Sequence, residues 1–175
     1  MRRASIIHIL TQIKINLSQS FEICYTIDKK EGSLMIRLLQ FQDIDSVMTI
    51  WLQSTILAHP FIEESYWMKN YDIVKNIYLP NSTTYVYESE ERIQGFISII
   101  EDSFIGALFI APEIQGKGIG SKLLQEALSH YPKLSLAVYK DNLNATKFYQ
   151  SKGFKIFQEQ VNEDSGHKEY VMIYE

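Results

Sequence analysis

The stretch Leu108-Phe109-Ile110-Ala111-Pro112-Glu113-Ile114-Gln115-Gly116-Lys117-Gly118-Ile119-Gly120 constrains this chain more than any other. An apolar, strand-like run passes through Pro112 into a turn with three glycines, and Leu123, Leu124, Ala127 and Leu128 then follow at the spacing of a buried helix face. Strand, glycine turn and helix start in that order make an anion site. Glycines let a ligand approach the backbone, the first-turn amides donate hydrogen bonds, and the helix dipole favours negative charge. Phosphate is the guest this chemistry suits. The spacing is not that of a P-loop, since no Gly-Lys-Ser/Thr closes it, nor is it a Gly-x-Gly-x-x-Gly dinucleotide turn. Glycine turns also precede helices for packing alone, so the segment by itself leaves both readings open.

With 175 residues, 46% of them apolar and 22% charged, the chain supports one core and is too apolar for disorder. No apolar run approaches the roughly 20 residues of a membrane span. Near the start, Ile6 to Leu10 is interrupted by His8. Arg2 and Arg3 before it resemble the head of a secretion signal without its long apolar core or cleavage site, so the expected location is cytoplasmic. The single cysteine, Cys24, has no disulfide partner and no zinc-type spacing around it, and no metal is expected. A net charge of −4 argues against a general nucleic-acid binder. Residues 35–102 carry ten acids against four bases, whereas residues 103–175 carry eight of each. An anionic cofactor on the second part and a cationic acceptor on the first would give this asymmetry, and so would a solvated acidic surface.

Residues 1–33 lack a clean period and read as an N-terminal extension, with the domain over 34–175. Lys30-Glu31-Gly32 can be encoded by a purine-rich ribosome-binding signal just ahead of Met35. A natural start at Met35 is therefore expected, a genuine extension being the other reading. The spacing predicts a strand over 34–40, a helix from Asp43 to near His59-Pro60, and an aromatic-rich helix over 63–79 that stops at Pro80. Strands follow over 83–88 and 93–100 across the charged turn Ser89 to Arg92, then over 103–110. A helix over 118–130, a strand over 134–139, a short helix over 142–152 and a hairpin of 155–161 with 168–174 complete the chain.

Two of these segments together carry a family resemblance. Gln115-Gly116-Lys117-Gly118-Ile119-Gly120 resembles the Gln/Arg-x-x-Gly-x-Gly/Ala pyrophosphate loop of the GNAT N-acetyltransferases. Asn142-Leu143-Asn144-Ala145-Thr146-Lys147-Phe148-Tyr149-Gln150-Ser151-Lys152-Gly153-Phe154 resembles that family's Asn-x-x-Ala-x-x-Phe-Tyr-x-x-x-Gly-Phe signature. The resemblance covers about Met35 to Tyr174. His59-Pro60-Phe61-Ile62 through Tyr66-Trp67, with Phe104, further resembles a bacterial subgroup some of whose members acetylate protein lysines.

The resemblance implies an α/β (mixed α+β) GNAT acyl-CoA N-acyltransferase fold. Its central mixed, mostly antiparallel sheet is splayed between strands 4 and 5, with flanking helices and acetyl-CoA in the gap. On that pattern the amides of Gln115, Gly116, Lys117, Gly118, Ile119, Gly120 and Ser121 hold the pyrophosphate. The backbone of Leu108, Phe109 and Ile110 pairs with the pantetheine, and an amide there meets the acetyl carbonyl as an oxyanion hole. Lys117 and Lys122 either add charge to the phosphates or are simply solvated. Asn142 is a cofactor contact, a helix N-cap, or both. The Tyr149 hydroxyl protonates or hydrogen-bonds the departing thiolate, while Phe148 packs. A tyrosine near pKa 10 is a weaker acid than a thiol near 8.5, so complete transfer costs about 2 kcal/mol in an untuned site.

An acceptor amine must lose a proton. Glu101 is the expected base, with Glu88 and His59 as further candidates. Phe104, His59 and Phe61 are expected to bind the acceptor, with Tyr66 and Trp67 beside them, and Tyr139 closes the fifth strand where it can face the gap. The expected function is acetyl transfer from acetyl-CoA to a primary amine by direct attack in a ternary complex, without metal or covalent intermediate. The amine is a protein or peptide lysine, an N-terminus, or a small amine. A noncatalytic acyl-CoA-binding sensor is the other reading. An RNA-acylating enzyme of this fold needs a basic face that residues 35–102 do not supply. Neither nucleic acid nor membrane is expected as a partner, and the chain is expected to be a monomer or homodimer.

Overall fold

Short apolar runs bounded by turn residues build one seven-stranded sheet in a computed structural model that describes residues 35–175. The expected extension over 1–33, Cys24 within it, lies outside the described residues. In chain order the elements are β1 (Met35–Leu38), α1 (Ile44–Ala58), α2 (Glu64–Ile73), β2 (Thr83–Ser89), β3 (Arg92–Ile100) and β4 (Phe104–Ile110). They continue with α3 (Ile119–His130), β5 (Leu134–Tyr139), α4 (Leu143–Ser151), β6 (Lys155–Val161) and β7 (Lys168–Tyr174). The sheet runs β1-β2-β3-β4-β5-β7-β6, antiparallel throughout except for the parallel pair β4–β5.

Alternation along the strands feeds two cores. Tyr85, Tyr87, Ile97 and Ile99 pack with Leu123, Leu124 and Ala127 of α3, while Val86 and Phe96 pack with Val47, Met48 and Trp51 of α1. Strands β2 and β3 are buried on both faces, β3 through the run Gly95 to Ile99 and β2 through Thr84, Tyr85, Val86 and Tyr87, as strands between two helical layers are. Arg37 ties the β1 edge to the start of α1, donating to Asp43 at 2.6 and 3.0 Å and to Glu88 at 2.6 Å. That use of Glu88 is structural.

The aromatic-rich segment departs from the single helix its spacing predicts. The α-helix ends at Ile73, a π turn covers Val74–Tyr78 with the Leu79 amide bonding the Val74 carbonyl, and a 3-10 turn covers Leu79–Asn81. Pro80 explains the change: it has no N–H to offer, and its ring would clash with the carbonyl four residues back in an α turn. The turn between β2 and β3 is also tighter than expected. Glu90 and Glu91 alone form it, with φ of 53° and 57°.

The sheet splays as expected, and its cause is local. β4 pairs with β5 only at Phe104–Ser135 and Ile105–Leu136. Immediately afterwards the β3–β4 register slips, since Ser98 faces Ala107 and Ile99 faces Ile105, leaving Gly106 as a bulge. A bulge bends its strand and increases its twist. A Cβ on Gly106 would lie 2.5 Å from Ile100 Cδ1, so a larger residue here requires the Ile100 side chain to move.

Candidate active site

Beyond the bulge, β4 keeps β3 on one edge but has no strand on the other, since β5 has turned away. The gap opens into a cavity of about 260 Å³ walled by β4, β5, α1, α2 and the π turn. Phe104, Leu108, Phe109, His59, Asn142 and Tyr149 all line it.

The glycine turn follows directly from β4 and stands outside the cavity wall. Gly116 and Gly118 have φ of 78° and 81°, the left-handed region that favours glycine, and a Cβ on either would meet nothing within 4 Å. No side chain caps α3, and the Lys122 amide is the first to bond back, to the Gly118 carbonyl at 3.2 Å. The amides of Ile119, Gly120 and Ser121 thus precede the helical ladder at the positive end of the helix dipole. The turn residues Gln115 to Gly118 are exposed. Gln115 does more than lend its amide, because its side chain bonds the Ile110 carbonyl at 3.0 Å, where Ser54 Oγ also donates at 3.0 Å. Lys117 is exposed, and Lys122 stands 5.6 Å above the Tyr87 ring. This set fits a diphosphate: glycine-flanked amides and a helix start, with no acidic side chain among Gln115 to Ser121.

Tyr149 lies in α4, buried against Phe148 and Phe154, and burial pushes its hydroxyl above the usual tyrosine value. His59 is also buried, and its hydrogen bonds define its state. Asn142 Oδ1 accepts from the Ala145 amide at 3.1 Å as the N-cap of α4, which turns Asn142 Nδ2 towards His59 Nε2 at 3.2 Å. Nε2 therefore accepts, and Nδ1 carries the proton that it donates to the Thr55 carbonyl at 2.7 Å. Burial lowers the His59 pKa, in keeping with this neutral ring. His59 thus ties the end of α1 to the start of α4. Phe61 packs edge-on against the His59 and Tyr139 rings and stands behind the cavity wall.

The structure does not bring Glu101 to the cavity. It sits in the exposed three-residue turn Glu101-Asp102-Ser103 between β3 and β4, where Glu101 and Asp102 have φ of 49° and 54°, beside the end of the sheet where β4 and β5 remain paired. Nor does the acidic first part of the chain supply cavity acids. The two carboxylates on the wall, Asp164 and Glu169, come from the β6–β7 hairpin, with Asn162 beside them. Sequence reasoning missed this trio, whose members are spaced along a hairpin with no motif to mark them. Tyr139 gave the available signal: it lies in register opposite Glu169, so both side chains share one sheet face. Trp67 also lines the cavity, with its indole Nε1 buried and, among the described residues, without a hydrogen-bond partner.

A strand edge left open beside a glycine-primed helix start, with a buried tyrosine across the gap, is the arrangement of an acyltransferase that takes its acyl group from a CoA thioester. Residues 60–174 match the model of the acetyltransferase (GNAT) domain, and the chain belongs to this family; it is an N-acetyltransferase with acetyl-CoA as co-substrate and an amine as acceptor. It is 39% identical over 122 residues to the peptidyl-lysine N-acetyltransferase YiaC of Escherichia coli (strain K12), covering 70% of this chain and 84% of that one. Peptidyl-lysine N-acetyltransferase YjaB of the same organism is 30% identical over 141 residues, covering 80% and 94%. The solution structure of apo-form YjaB superposes with a TM-score of 0.72 at 28% identity, covering 81% of this chain and 97% of that one. The fold is shared too with the PaiA N-acetyltransferase of Thermoplasma acidophilum, solved in complex with coenzyme A, with a TM-score of 0.69 at 21% identity and coverage of 82% and 99%.

Proposed function

We propose that this enzyme acetylates the side-chain amine of lysine in proteins or peptides, in the cytoplasm, by direct attack within a ternary complex. The 39% identity to a peptidyl-lysine N-acetyltransferase, over 84% of its length, carries this choice of acceptor. In this reading the amides of Gln115 to Ser121 hold the pyrophosphate. The open edge of β4, Leu108 to Ile110, takes the pantetheine in place of a strand. An amide of that edge faces the acetyl oxygen and stabilises the negative charge that forms there as the amine attacks. The C–N bond forms as the amine sheds its proton to water, the C–S bond breaks, and the thiolate leaves towards Tyr149.

Burial favours the protonated Tyr149, so its role is that of hydrogen-bond donor to the departing sulfur more than of a spent acid. His59 and Asn142 position α4, and through it Tyr149. Their ring and amide groups are already engaged with Thr55, Ala145 and each other. In this reading Glu101, exposed in its turn and not among the residues that line the cavity, is given no role.

The test is to incubate the full chain with acetyl-CoA and a lysine peptide, following CoA release and the peptide's mass together. Acetyl-lysine formed in step with CoA is expected. Acetylation of n-butylamine without acetylation of peptides would replace lysine by a small amine, and absence of CoA release with either acceptor would leave an acyl-CoA sensor.

A further inference from the structure

The cavity ends in a carboxylate that the reaction scheme above does not use. Glu169 is 5% exposed and lines the cavity from β7. Both of its oxygens accept from neutral amides, Gln160 Nε2 at 2.7 Å and Asn162 Nδ2 at 3.1 Å. The basic side chains nearest in sequence are committed elsewhere: Lys140 and Lys168 both pair with Glu159, at 2.7 and 3.0 Å. Among the described residues Glu169 forms no ion pair.

Burying a carboxylate without a counter-ion is costly, and amide hydrogen bonds offset only part of that cost. The surroundings suit a cation. Tyr66, Trp67 and Tyr139 wall the same cavity, and the electron-rich faces of such rings attract ammonium groups. Asp164 adds a second carboxylate to the wall. The unpartnered Trp67 Nε1 is a free donor in that wall, suited to an acceptor's carbonyl.

We propose that Glu169 is the counter-ion of the acceptor: it selects an alkylammonium over an uncharged chain of the same length and holds it in the aromatic end of the cavity. This rests on the reading that the acceptor is a lysine amine, and it adds the group that recognises it.

Glu169→Gln tests the charge while keeping the shape. Asn162 cannot turn, because its Oδ1 accepts from the amides of Asp164 and Ser165. The new amide oxygen can face Asn162 and its nitrogen Gln160, whose amide turns with that of Gln158. The probes are n-butylammonium and 1-butanol, titrated by NMR into the CoA-saturated full chain. The wild type should prefer the ammonium at least tenfold, and Glu169→Gln should lose that preference while Glu169→Asp keeps part of it. The KM for a lysine peptide should rise at least tenfold in Glu169→Gln, with kcat changed less than threefold and acetyl-CoA affinity unchanged. No ammonium preference in the wild type, which requires no variant to fold, overturns the proposal, as does an equal preference in a folded Glu169→Gln. If wild type binds n-butylammonium selectively but does not acetylate lysine peptides, the lysine-peptide reading falls and the assignment of Glu169 stands.

Discussion

Tyr149 shows how one side chain's surroundings select among its possible roles. Its position in the Phe-Tyr pair is legible in the sequence, but its burial is not, and burial pushes its hydroxyl up and so holds the proton on oxygen. Tyr149→Phe keeps the ring against Phe148 and Phe154 and removes only the donor. Single-turnover acetyl transfer should therefore fall by about a hundredfold, the low end of the range for positioned proton donors, with acetyl-CoA affinity nearly unchanged. A rate equal to wild type in rapid-quench measurements would assign Tyr149 to packing alone. His59 and Asn142 were separate candidates in the sequence, one for the acceptor and one for the cofactor. Their shared hydrogen bond makes them a single brace between α1 and α4. A contact between residues so far apart in the chain leaves no periodic trace.

At the scale of elements, the glycine turn has the clearest consequence. Gly118→Asp places a carboxylate among the amides that precede the α3 ladder, in open space and in a left-handed conformation that Asp tolerates better than most residues. Acetyl-CoA affinity should drop at least tenfold by calorimetry while the melting temperature moves little. An unchanged affinity in the folded variant would remove the turn from the cofactor site. The strands and the three amphipathic helices α1, α3 and α4 were legible, because apolar spacing and glycine position report local geometry directly, whereas the splay followed only from the family resemblance. What was not legible came from competition between local rules. Pro80 converts the end of a well-spaced helix into a π turn. Glu90 and Glu91 adopt left-handed backbone in a two-residue hairpin turn where Asn-Gly is the usual signal. Glu101, a candidate from its place near the end of a central strand, stands in an exposed turn with left-handed backbone and is not among the residues that line the cavity.

Across the whole molecule, several buried and half-buried tyrosines share one response to pH. Burial pushes Tyr78 and Tyr85 up to about 12, and raises Tyr66, Tyr139 and Tyr149 as well. An unfolded chain releases these protons near pH 10, whereas the folded chain holds them, so folded protein binds more protons across the interval. Their contribution to stability is complete below about pH 10 and is lost as pH rises towards about 12. Ionisation of these five rings, followed one by one by NMR, should therefore coincide with loss of near-ultraviolet circular dichroism. Ionisation of Tyr78 or Tyr85 near pH 10 in protein that remains folded would contradict the burial. The seam at β4 has another collective effect. Only two residue pairs join the β1–β4 half of the sheet to the β5–β7–β6 half, and the amides along the open edge have no strand to protect them. In free protein those amides should exchange with deuterated solvent within the time of loop opening, and a bound thioester should slow them. The exchange record of the Leu108 and Ile110 amides, which point away from β3, would then serve as an occupancy gauge for the enzyme, readable without any turnover.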